Sequence, residues 1–221
     1  NLLDQNATET WMKKNKPDII ILAAAKVGGI KYNMLNKSSF LYENLMIQNN
    51  VIFLASKLNV EKLVFIGSSC IYPKDSSQPI IESALMKGPL EETNEGYALA
   101  KIAGLKLCKY INEELNKKFI SVMPSNIFGI NDNFDPENSH VLGALLRKIY
   151  LAKLSDTNKI EIWGSGKPRR EFLYVDDLAD AICFLLKNYN SSLPINIGTS
   201  KDISITELAF KIAKVLNHTL Q

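Results

Sequence analysis

Short, unbroken aliphatic runs separated by long helical stretches constrain this chain more than any other feature. Asp18-Ile19-Ile20-Ile21-Leu22-Ala23, Leu63-Val64-Phe65-Ile66 and Phe119-Ile120-Ser121-Val122-Met123 each read as a strand buried on both faces. Helices are expected over about 39–58 and 95–115 between them, after a first helix at 4–15 with Asp4 as its N-cap. Strands alternating with helices long enough to cross back predict an α/β fold built on a doubly wound parallel sheet. In such a sheet ligands bind at the carboxyl ends of the strands. Lys26-Val27-Gly28-Gly29, Ser68-Ser69-Cys70 and Pro124-Ser125-Asn126 all fall at that edge.

Beyond residue 132 the pattern loosens. A polar stretch over 131–139 precedes a helix at 139–153. A strand over 171–175 follows, then a helix from Asp176 to Leu186 with an acidic first turn, and a short strand over 195–198. Ser204 and Glu207 have capping-box spacing at the head of a last helix. The net charge of +3 is too small to argue for nucleic acid or a charged membrane surface, and no apolar stretch reaches the roughly 20 residues of a membrane span. The opening residues do not read as a signal peptide. Cys70, Cys108 and Cys183 are odd in number and lack metal-ligand spacing, which suits a reduced cytoplasmic protein. Cys108 and Cys183 read as packing residues on apolar helix faces.

One cluster carries chemistry. Tyr97 and Lys101 lie one helical turn apart and leave the same helix face. Upstream, a buried strand ends in Gly67-Ser68-Ser69-Cys70. A serine to orient a carbonyl, a tyrosine to give it a proton, and a lysine cation to lower the tyrosine pKa from about 10 are what ketone reduction needs. Alone, a Tyr-x-x-x-Lys pair is more often a solvated helix face; the serine-ended strand argues against that reading.

In these residues the chain resembles the extended short-chain dehydrogenase/reductases. Within them it is similar to the GDP-L-fucose synthase family through Leu22 to Ile30, Gly67 to Pro73, Asn94 to Gly104, Asp132 to Phe134, Asn138 to Val141, Trp163 to Gly166 and Arg170 to Phe172, a likeness running from Leu2 to Leu216. The resemblance implies a Rossmann-like NAD(P)-binding sheet and a smaller C-terminal substrate-binding domain. Residues 1–131, rejoined by about 168–198, would form part of the first; 132–167 and 199–221 would form part of the second. It implies NADPH as cofactor, GDP-4-keto-6-deoxy-D-mannose as substrate, 3,5-epimerisation followed by 4-reduction, and a homodimer built on the helices at 39–58 and 95–115. Tyr97 would be the proton donor to the C4 oxygen, Lys101 the contact to the nicotinamide ribose, and Ser68, or its neighbour Ser69, the carbonyl-orienting group. Cys70 and His140 would be the epimerisation pair. Cofactor contacts would come from Ile66, Gly67, Ser68, Ser69, Tyr97, Lys101, Pro124, Ser125, Asn126, Ile127 and His140. Lys148, Trp163 and Arg170 would hold the GDP-sugar. Lys148 stands where that family often has an arginine, so Arg147 could take the diphosphate contact instead, and Trp163 could equally belong to a core.

Two features set the chain apart from a complete dinucleotide-binding sheet. Its eleven glycines supply no Gly-rich turn running into a helix N-terminus. By spacing, the chain opens in the helix before the fourth strand, so two βα units of roughly 30 residues each are expected to be missing. An N-terminally truncated sheet, with little reductase activity alone, is the corresponding expectation, and a non-catalytic fragment or another nucleotide-sugar epimerase or reductase are the competing readings. An acidic pair expected of a 4,6-dehydratase is replaced by Cys70-Ile71.

Overall fold

The computed structural model describes residues 1–135 and 138–220. Pro136 and Glu137, within the polar stretch expected over 131–139, and Gln221 lie outside the described residues. The first half forms α1 (Gln5–Asn15), β1 (Ile19–Leu22), α2 (Ile30–Leu35), α3 (Lys37–Lys57), β2 (Lys62–Ile66), α4 (Glu95–Leu115) and β3 (Lys118–Pro124). The second forms β4 (Asn126–Phe128), α5 (Val141–Leu154), β5 (Arg169–Tyr174), α6 (Val175–Asn188), β6 (Ile195–Ile197), β7 (Asp202–Ser204) and α7 (Ile205–Val215).

Local chemistry explains the boundaries. The Asp4 carboxylate accepts from the Ala7 amide at 3.0 Å and starts α1. Left-handed Lys16 and Asn116 end α1 and α4. At α7 the Glu207 amide donates to Ser204 Oγ (3.1 Å) while the Ser204 amide donates to the Glu207 carboxylate (2.8 Å), closing the expected capping box.

β1, β2, β3 and β6 lie side by side in one parallel sheet, with Phe65 opposite Ser121 and Met123 opposite Asn196. Alternation along β2 sends its side chains to two cores. Leu63 and Phe65 pack with α3 and α4 residues such as Ile52, Ala55, Leu105 and Cys108. Val64 packs with Ile120, Val122 and the α6 residues Leu178, Ile182 and Leu185. With helices on both faces, the sheet is doubly wound. A third cluster joins α5 to α7 through Leu145, Ile149, Leu208 and Ile212. A second sheet, β4-β5-β7, runs parallel at β4-β5 and antiparallel at β5-β7. Among the described residues no helix is long and apolar enough to cross a membrane.

Three elements were not legible. β4 and β7, three residues each, lack the Ile-Asn-Ile alternation of the equally short β6, and α2 is a short helix between Gly29 and Asn36. One packing expectation is corrected. Cys108 is buried, but Cys183 is exposed because α6 turns it away from the α6–sheet core.

Candidate active site

At the end of β2 the ladder continues one residue further, the Gly67 amide donating to the Val122 carbonyl at 2.8 Å. The chain then turns. Ser68 is extended and heads a single 3-10 turn, Ser69–Ile71, with its Oγ 3.4 Å from the Cys70 amide. Buried Ile71 and Tyr72 anchor the turn from below. The Tyr72 hydroxyl donates to Asn196 Oδ1 (2.6 Å), and the Asn196 amide donates to the Glu82 carboxylate (3.0 Å), which ties the loop over 73–92 to β6.

Tyr97 lies in the first turn of α4 and Lys101 in the next. Both side chains converge on the end of β2. The Lys101 ammonium donates to the Ile66 carbonyl at 2.7 Å and stands 4.8 Å from the Phe65 ring centre and 5.6 Å from that of Tyr97. Lys101 is only 4% exposed, and burial pulls its pKa down to about 8, against the opposing influence of the Cys70 thiol. Cys70 keeps partial exposure as a residue, yet its sulfur is enclosed. Burial pushes the thiol up to about 11, outweighing the Ser68 hydrogen bond and the Lys101 charge. Burial first, and then Cys70, push the Tyr97 phenol up as well. This corrects the expectation that Lys101 lowers the tyrosine: its ammonium is hydrogen-bonded to a backbone carbonyl and faces the phenol ring.

Ile66, Gly67, Ser68, Cys70, Tyr97 and Lys101 are thus brought together, while Ser69 points to solvent from the 3-10 turn. Pro124 closes β3, and the Ser125 amide donates to the Ile197 carbonyl (2.9 Å). The buried Ser125 Oγ has no hydrogen-bond partner within the chain. Asn126 begins β4, its side chain donating to the Glu171 carbonyl (2.9 Å), and Ile127 is exposed.

His140 is exposed at the N-cap of α5. A close backbone approach ties its segment to the end of β1. The Gly29 amide donates to the Asn138 carbonyl (3.0 Å), and a Cβ on Gly29 would lie 2.6 Å from the Ser139 carbonyl oxygen. Lys148 and Trp163 meet directly. The ammonium stands 5.6 Å from the indole centre and donates to the Glu161 carbonyl (3.0 Å), while the indole is 60% exposed, which removes Trp163 from any core. Arg147 does not join them. It lines a separate cavity of about 290 Å³ with Phe134, Leu146, Tyr150 and Leu216. Arg170 sits on β5, its guanidinium turned to the Arg169 carbonyl (2.8 Å), and Arg169 itself is held by Asp202 (2.9 Å) and Glu207 (3.3 Å). Lys26, Phe40, Glu43 and Asn44, grouped beside Tyr97, were not singled out from sequence. The available signal was a lysine in the loop that ends β1 and an acidic residue on the following helix.

Known proteins resemble this chain along nearly its whole length. The NAD dependent epimerase/dehydratase family matches residues 1–198. A GDP-L-fucose synthase of Sinorhizobium fredii is 50% identical over 216 residues, covering 98% of this chain and 69% of that protein. The chain spans about two thirds of the length of the curated relatives it matches. Among solved structures, a GDP-L-fucose synthetase from Naegleria fowleri bound to NADP superimposes with a TM-score of 0.90 at 36% identity, over 100% of this chain and 68% of that one. A GDP-6-OMe-4-keto-L-xylo-heptose reductase from C. jejuni gives a TM-score of 0.93 at 35% identity, over 100% of this chain and 75% of that one. With its fold, the family match over residues 1–198 and this likeness along nearly the whole chain, the chain belongs to the NAD dependent epimerase/dehydratase family.

Proposed function

We infer that this chain carries the chemistry of a GDP-L-fucose synthase, epimerising a GDP-4-keto-6-deoxy sugar at C3 and C5 and reducing it at C4 with NADPH. The observation that carries the reading is Cys70 in the 3-10 turn after β2, at the strand end where the Lys101 ammonium meets the Ile66 carbonyl and faces the Tyr97 ring. A reductase alone needs the pair, and a thiol beside it adds a second acid/base function to the same pocket.

The residues fit the nicotinamide end of the cofactor. The orphaned Ser125 hydroxyl, the Pro124–Ile127 backbone and the Lys101 ammonium lie at the carboxyl edge of the parallel sheet. When bound, NADPH would supply the hydride to C4. Tyr97 supplies the proton to the C4 oxygen and recovers it from solvent, while Ser68, half-buried where Ser69 is exposed, donates a hydrogen bond to the same oxygen. The 4-keto group acidifies the C3 and C5 protons. Cys70 and His140 move protons there, Cys70 entering as the neutral thiol and so as a donor. On the substrate side, the exposed Trp163 face with Lys148 above it, together with Arg170, holds the GDP moiety. Sheet residues hold the cofactor and the α5–α7 portion the sugar nucleotide. The outer faces of α3 and α4, with Tyr42, Phe53, Leu99 and Tyr110 exposed, form the homodimer contact.

A second reading, reduction of another GDP-4-keto sugar, is favoured by the similarity to the heptose reductase. Substrate choice separates the two: the first reading expects turnover of GDP-4-keto-6-deoxy-mannose with inversion at both centres. Within it, Tyr97→Phe should abolish NADPH oxidation while solvent deuterium still enters C3 and C5, and Cys70→Ser should lose the exchange. Near-normal NADPH oxidation by Tyr97→Phe would overturn the assignment.

A further inference from the structure

We propose that Phe40 is a positioning residue for Tyr97, aiming the proton donor for reduction while playing no part in epimerisation. The proposal rests on the reading of Tyr97 as that donor.

Phe40 is 1% exposed, in the first turn of α3, and its ring meets Tyr97 at 6.4 Å between centres with planes 79° apart. That is an edge-to-face contact. The two helix starts abut: beside Tyr97, a Cβ on Gly96 would lie 2.6 Å from the Lys37 carbonyl. Phe40 is itself gripped on its remaining sides. Tyr32 packs edge-to-face against it at 5.4 Å. The Lys26 ammonium stands 5.8 Å from its ring centre, paired with Glu43 at 2.5 Å and hydrogen-bonded to Ser39. Asn44, 2% exposed, clamps both ends of the Lys26 backbone unit. It accepts from the Lys26 amide (2.8 Å) and donates to the Lys26 carbonyl (3.0 Å) and the Phe40 carbonyl (2.7 Å).

Tyr97 therefore has Lys101 toward one side of its ring and a rigidly backed aromatic wall on another. A tyrosine ring swings about χ1, and its hydroxyl lies at the far end of that lever. A small tilt of the ring moves the acidic proton off the line to the C4 oxygen, and misplacement by about 1 Å can cost on the order of a hundredfold in rate. Phe40 packs against Tyr97, Tyr32 and the Lys26 ammonium, groups to which this reading assigns no part in the exchange at C3 and C5.

The test uses Phe40→Leu and the unbranched, gap-filling Phe40→Met. Two rates are followed with GDP-4-keto-6-deoxy-mannose: NADPH oxidation, and deuterium entry at C3 and C5 with NADP+ in place of NADPH. The expected result is a roughly ten- to a hundredfold fall in kcat for reduction, with KM and the exchange rate near wild type. Reduction at the wild-type rate in either folded variant overturns the proposal. So does an equal loss of reduction and exchange, which marks a merely structural role. Both variants are made in the full-length protein; if its wild type catalyses neither step, the functional reading itself fails, a result distinct from both.

Discussion

Replacing Lys101 by methionine should stabilise the folded chain at neutral pH while destroying reduction. The lysine is charged at pH 7 although burial has lowered its pKa from 10.5 to about 8. The folded state therefore binds that proton less tightly than the unfolded state. Between pH 8 and 10.5 the unfolded chain carries more protons, so stability rises with pH through this window and is lost as pH falls through 8. At about 1.36 kcal/mol per tenfold, the charge costs about 3 kcal/mol at pH 7 and under about 0.5 kcal/mol at pH 10.5. Methionine keeps the aliphatic stem against Phe65 and Tyr97 but leaves the Ile66 carbonyl without its donor, a loss of about 1 kcal/mol. Lys101→Met should then gain about 2 kcal/mol at pH 7, a rise of roughly 4–8 °C in Tm, and be slightly less stable than wild type at pH 10.5. Urea unfolding of both proteins at the two pH values measures this. An advantage that is equal at pH 7 and 10.5, or absent at both, would refute burial of the charge as its source.

Gly29→Ala should slow deuterium exchange at C3 and C5 by about tenfold, read by NMR, because the new Cβ would press on the Ser139 carbonyl and shift the His140 segment. Iodoacetamide should alkylate exposed Cys183 well before Cys70 at pH 7.5, and the Cys70 rate should climb toward pH 11, followed site by site by mass spectrometry. Modification of Cys70 as fast as Cys183 at pH 7.5 would contradict its enclosure. Light scattering at micromolar concentration should show a dimer that Phe53→Glu converts to monomer, since Phe53 lines a cavity of about 460 Å³ with Asn49, Lys106, Leu107 and Tyr110 across α3 and α4.

What could be read from sequence was what acts over a few residues. The β2 run Leu63 to Ile66 is apolar at every position because both its faces are covered, and that signal survives without any knowledge of the partners. Asp4, Ser204 and Glu207 cap helices through bonds spanning three residues, and Tyr97 and Lys101 share a face because a helix turns in 3.6 residues. β4 and β7 lack the apolar-polar-apolar run that marks the equally short β6, and only pairing with β5 creates them. The exposure of Cys183 and Trp163, and the parting of Arg147 from Lys148, depend on how helices roll against their neighbours. The same holds for the chemistry. Whether Lys101 lowers Tyr97, or burial raises it, depends on which carbonyl the ammonium meets, and Ile66 lies 35 residues away in sequence. Phe40 reaches Tyr97 only because α3 and α4 pack side by side, bringing together groups that no local pattern connects. Hydrogen-bond caps and periodicity are properties of a segment, whereas burial, and the pKa values and ring contacts that follow from it, belong to the folded packing of distant segments.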